Sequence, residues 1–118
     1  MESILTSVKK MLGLEEDFVQ FDPDIIFSIN TTFMFLNQIG VGPDGGFSIL
    51  DKEATWSDYL GEETNMESVK SFVYLKVRLI FDPPSSASVL DAYERLLKEL
   101  EWRLNVEAEK PEVEEGDV

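Results

Sequence analysis

No cysteine and no histidine occur in this sequence. Their absence excludes disulfide bridges, thiolate zinc sites and imidazole general bases together. Cations are scarce as well: 10 Lys and Arg face 24 Asp and Glu, for a net charge of −14. Binding a nucleic-acid backbone needs clustered cations, so that activity is not expected. An acidic surface instead repels such a backbone, pairs with a basic protein, or simply keeps the chain soluble. Residues 107–118 hold six acids and one lysine, which leaves −9 on the other 106 residues. The body is therefore acidic in its own right. No apolar run approaches the about 20 residues that span a bilayer, so no membrane association is expected. No secretion signal opens the chain, because Met1-Glu2-Ser3 carries an acid and Ile4–Leu14 is broken by Lys9 and Lys10. An intracellular protein is the natural expectation.

What is present suits one domain with a modest core: 118 residues, of which 43% are apolar. Ser3 is placed to cap a short helix, Ile4 to Leu12, with Ile4, Leu5, Val8, Met11 and Leu12 on one face and Gly13 ending it. Glu15-Glu16-Asp17 reads as a solvated connection. Asp22-Pro23 supplies a carboxylate cap and a first-turn proline for a second helix, Pro23 to Ile39. Ile25, Ile26, Ile29, Phe33 and Leu36 form its stripe, and Phe27 and Met34 fall nearly opposite. A helix apolar on two sides is either central to the fold or a contact for another chain. Asn30-Thr31-Thr32 matches a glycosylation sequon, but it lies mid-helix and without a secretion signal.

The loop Gly40–Gly46 only superficially resembles a phosphate-binding loop, since Gly46 and Phe47 stand where Lys and Ser or Thr are required. Phe47–Ile49 and Ala54–Trp56 are predicted to pair as a small hairpin. Ser57–Leu60 is predicted as one helical turn closed by Gly61, with Trp56, Tyr59 and Leu60 anchoring the loop. Thr64-Asn65-Met66-Glu67 is a capping box for a third helix, about Asn65 to Phe81. Its apolar face is Val69, Phe72, Val73, Leu75, Val77, Leu79 and Ile80, with Lys70, Ser71, Tyr74 and Arg78 on the other side. Lys76 falls inside the apolar face, where it either snorkels to water or pairs with a carboxylate. Asp82-Pro83-Pro84 stops this helix. Ser85 or Ser86 then caps a fourth, Ala87 to about Val106, with Val89, Leu90, Tyr93, Leu96, Leu97, Leu100 and Leu104 as core stripe. Asp91–Arg95, Glu94–Lys98 and Glu99–Arg103 are i,i+4 pairs. Trp102 points away from the stripe, among charges, and is a candidate partner contact. Residues 107–118 are expected to be a disordered acidic tail following a helical domain of residues 1–106.

The expected fold is therefore all-α: about four main helices in a small bundle, with a long central loop holding a short hairpin. Nothing looks catalytic. Asp22/Asp24 and Glu62/Glu63 are explained by a helix start and a loop, so no enzyme, cofactor or metal is expected.

Y-L-K-V-R-L-I-F-D-P-P (Tyr74–Pro84) followed by E-L-E-W-R-L-N (Glu99–Asn105) resembles the head–tail connector, or head-completion adaptor, family of tailed bacteriophages. Phe21–Ile26, Gly40–Pro43, Gly46–Ile49 and Trp56–Gly61 resemble it in the same order, over roughly Ser3 to Val106. The resemblance implies a small helical, non-enzymatic protein of the virion, made in the host bacterial cytoplasm. Such adaptors form a ring, commonly of twelve subunits, below the portal protein. They extend the DNA channel and meet a downstream head-completion or tail protein. Phe27, Met34, Lys76, Arg78 and Trp102 are then the candidate subunit or portal contacts. The rival readings are an acidic DNA mimic or other small protein-binding module, and a metal-dependent enzyme using carboxylates alone.

Overall fold

The computed structural model describes residues 2–61 and 66–109. These form five helices: α1 (Ile4–Met11), α2 (Asp22–Gln38), α3 (Trp56–Leu60), α4 (Met66–Phe81) and α5 (Ala87–Glu109). α1 starts at Ser3, whose hydroxyl accepts the Thr6 N–H at 3.2 Å, and Gly13 ends it with a φ of 82°. α3 starts at Thr55, which with Asp58 makes a reciprocal capping box. Thr64 of the capping box expected for α4 lies outside the described residues.

α2 is the centre of the molecule, packing on α1 and on α4, and α4 in turn carries α5. Ile25, Ile29, Phe33 and Leu36 of α2 meet Val69, Phe72, Val73 and Val77 of α4 in one buried cluster. Ile4, Leu5 and Val8 close it on one side, and Trp56, Tyr59 and Leu60 anchor the long loop as expected. Ser28 and Thr32 face the same core; each hydroxyl donates to the carbonyl four residues earlier, so neither is left unpaired. Tyr59, Phe33 and Phe47 form a three-ring cluster, and Gly42 makes room for it: a Cβ there would sit 2.7 Å from the Tyr59 ring. Burial pushes the Tyr59 phenol above its ordinary pKa.

The expected hairpin is not formed, and among the described residues there is no strand, only an isolated bridge between Ser3 and Thr55. Several of the backbone groups that would have paired bond elsewhere. Ile4 N–H donates to Ala54 C=O at 3.0 Å, and Trp56 N–H to Glu2 C=O at 3.2 Å. Ile49 is held by the Asn30 side chain, whose Nδ2 donates to Ile49 C=O at 3.0 Å and whose Oδ1 accepts Ile49 N–H at 2.8 Å. Trp56 Nε1 donates to the Ser7 hydroxyl at 2.9 Å, which ties α3 back to α1.

Three helix faces differ from expectation. Met11 is exposed, and the buried face of α1 includes Lys9 in its place. Ile80 of α4 is exposed at the helix end. In α5 only Leu97 and Leu104 are fully buried, while Val89 and Leu96 are exposed. The molecule measures 54 × 35 × 20 Å, so it is about two helices thick and has no further layer to cover that flank of α5. α5 also runs on to Glu109, beyond the expected end near Val106. Residues 110–118, most of the expected acidic tail, lie outside the described residues.

Candidate assembly surfaces

The α2 residues Phe27 and Met34 project from the face opposite Ile25, Ile29 and Phe33, and Phe27 is 69% exposed. The seven-residue spacing is two helical turns, so the two side chains share one stripe. A single exposed apolar residue is ordinary, but two large ones aligned on the central helix form a surface that water covers poorly.

Lys76 follows neither expected course fully. Its amine lies 4.9 Å from the centre of the Phe35 ring and makes no ion pair among the described residues. The side chain is half-buried between α4 and α5, in grooves that Glu101, Asp91 and Glu94 also line. The stem therefore packs as a snorkelling lysine would, while the head rests on an aromatic face. Arg78 is engaged at the end of its own helix. Its Nε donates to Asp82 C=O at 2.6 Å and stands 3.8 Å from the Asp82 carboxylate. Such a cation satisfies a C-terminal carbonyl of α4 and suits the helix dipole. Trp102 is 67% exposed on the outer side of α5, with Val106 exposed one turn on.

Two of the three expected ion pairs on α5 are closed. Arg103 meets Glu99 at 2.7 Å and Arg95 meets Asp91 at 3.5 Å. All four groups are more than half exposed, so each pair adds only a few tenths of a kcal/mol.

The most buried ion pair among the described residues joins Lys9 of α1 to Asp22 of α2. Lys9 is 2% exposed; its Nζ lies 2.9 Å from Asp22 Oδ1 and donates to the Glu16 carbonyl at 2.8 Å. Asp22 was expected to cap α2, but no side-chain cap bond forms there, and Phe21 precedes the first turn instead. The Asp22–Lys9 contact has the distance of an ion pair without the alignment of a hydrogen bond. The missed signal was positional: Lys9 is four residues after Leu5 and so falls on the buried side of α1. A second pair fastens the chain start: Lys70 meets Glu2 at 2.9 Å, and that hydrogen bond raises the Lys70 pKa.

Glu62 and Glu63 lie outside the described residues, and Asp22 and Asp24 stand in the first turn of α2. No group of three or more Asp or Glu among the described residues is placed to hold a metal ion. No helix among the described residues is long and apolar enough to cross a membrane.

No curated protein and no solved structure matches the chain. A family model described as phage connector protein matches residues 4–111, beginning at the first residue of α1 and reaching past the end of α5. With nearly its whole length matched, an all-helical fold, and the segments Tyr74–Pro84 and Glu99–Asn105 in place, this chain belongs to the phage connector protein family, a family of structural phage proteins.

Proposed function

We propose that this phage structural protein assembles as a ring, commonly of twelve copies, below the portal. It would complete the head, extend the DNA channel and join the head to the next head-completion or tail protein. Before assembly it would reside in the host bacterial cytoplasm. The observation that carries this reading is the presence of two exposed apolar surfaces on different helices: Phe27/Met34 on α2, read as a subunit contact, and Trp102/Val106 on α5, read as the portal contact. In a closed ring of head-to-tail contacts the α2 stripe would meet a different patch of the next copy, which leaves the α5 face for a second partner. The acidity of the body suits a channel wall, because it repels DNA phosphates and lets the duplex slide. An acidic DNA mimic would present unpaired carboxylates, and on α5 Asp91 and Glu99 are already paired with arginines.

Electron microscopy of the protein with and without the portal of the same phage tests the reading, the expected result being rings on the portal. Phe27→Asp combined with Met34→Asp is expected to abolish those rings while leaving the melting temperature of the monomer within about 2 °C, since both side chains already face water. Rings that persist in the double variant would remove the α2 face from the subunit contact. Trp102→Ala is expected to fold normally and to weaken portal binding about tenfold or more, as loss of a central aromatic anchor does. Unchanged affinity would place the portal contact elsewhere.

A further inference from the structure

A groove of about 990 Å³ opens along α1 and the N-terminal end of α2, and no residue of α5 lines it. Its apolar lining includes Leu5, Val19, Ile26 and Leu50. Leu50 is 89% exposed, and Val19 is also turned to water. These side chains spend no apolar surface on the core, which the nearby Ile49 and Leu5 serve instead. Around this lining stand Glu15, Glu16, Asp17 and Asp51, with Asp22 deeper. Two lysines also line it, but Lys9 is committed to Asp22, so Lys52 alone faces four carboxylates.

We propose that this groove receives a short segment of another protein, one that combines large apolar side chains with Lys or Arg. Apolar anchors would cover Leu50 and Val19, and cations would meet the acidic rim; a site of this size matches such a segment. The charge balance argues against a second copy of this chain as the occupant. Of the ten cations in the sequence, Lys9, Lys70, Arg78, Arg95 and Arg103 are already paired with carboxylates of their own subunit, and Lys76 rests on Phe35. A copy carrying a net charge of −14 has few cations left to offer. The occupant is therefore a basic, apolar segment from a different protein. This assignment does not depend on ring formation through the α2 face.

A library of random short peptides, selected on the wild-type protein and counter-selected on Leu50→Asp, tests it. Leu50 is almost wholly exposed, so that variant is expected to fold. Enriched peptides should carry net positive charge and at least two large apolar residues. A synthesised winner should lose about tenfold in affinity on Leu50→Asp, and again on the paired variant Glu15→Lys with Asp51→Lys. It should bind Asp44→Lys, which alters an exposed acid outside the groove, like wild type. Acidic winners, equal binding to Leu50→Asp, or chemical-shift changes on α5 rather than at Leu5, Val19 and Ile26 would overturn the proposal. Self-association measured without the portal and lost on Leu50→Asp would make a second copy the occupant and would equally overturn it.

Discussion

Asp22→Ala is expected to destabilise the protein by about 3 kcal/mol, lowering the melting temperature by roughly 10 °C. The size of the effect comes from Lys9, not from Asp22. The lysine amine is 2% exposed, and after the substitution its remaining partner is the Glu16 carbonyl at 2.8 Å. A buried ammonium facing one carbonyl has lost its solvation without a countercharge, which costs far more than an exposed pair contributes. Lys9→Met removes the charge from the other side. It keeps the apolar stem against Leu5 and leaves behind a carboxylate that is partly open to water, so its cost should be smaller. The double variant, Lys9→Met with Asp22→Leu, replaces a buried pair by apolar contact and should recover most of the stability. Urea unfolding of all three variants gives the coupling energy. Asp22→Ala within about 1 kcal/mol of wild type would mean that Lys9 swings into water and that its burial is dispensable.

The second large effect belongs to Asn30. Its side chain makes two hydrogen bonds to one residue, donating to Ile49 C=O and accepting Ile49 N–H. Asn30→Ala leaves both backbone groups unpaired beside a core residue that is 1% exposed. At about 1–3 kcal/mol for each orphaned group, a loss of about 2–6 kcal/mol is expected. Asn30→Asp keeps an acceptor for the Ile49 N–H but sets a carboxylate against the Ile49 carbonyl. It should therefore fall between Ala and wild type only if the N–H bond dominates. Amide hydrogen exchange resolves the effect locally, because the Ile49 N–H should lose its protection before the amides of α2 or α4 do. Unaltered protection at Ile49 in Asn30→Ala would show that the loop is held by its apolar contacts alone.

Both residues explain what was and was not legible in the sequence. Helices were legible because their signals are local: the Ser3 cap, the Asp82-Pro83-Pro84 stop and Gly61 after Leu60 each act within a few residues of where they stand. The apolar stripe of α2 was legible for the same reason. The expected hairpin does not form because β-pairing competes with any other partner that satisfies the same backbone groups. Asn30, nineteen residues before Ile49, is such a partner. Read as a sequon, Asn30 showed nothing of this role. Lys9 was hidden by composition logic, which places lysine outside; only its position four residues after Leu5 indicated burial, and only Asp22 makes that burial tolerable. In α5 the stripe from Val89 to Leu104 was recognised, but periodicity reports which face is apolar and not how much of it a thin molecule can cover. Of the candidate contacts, Phe27, Met34 and Trp102 were legible as residues off their own stripes. The groove beside Leu50 was not, because it is built from α1, α2 and two loops at once.

The bond between Trp56 and Ser7 has a consequence for the order of folding. It joins residues 49 positions apart, and the neighbouring Ile4–Ala54 and Trp56–Glu2 bonds span similar distances. α1 has only eight residues, too few to persist as an isolated helix in water. It must wait for its partners, and those partners lie on the far side of a long chain closure that costs entropy before any contact repays it. α1 and α3 are therefore expected to dock together, and amide exchange should show their protection lost as one unit. The stability of α1 is thus borrowed from a loop 49 residues away, so a substitution at Trp56 should loosen α1 as much as α3.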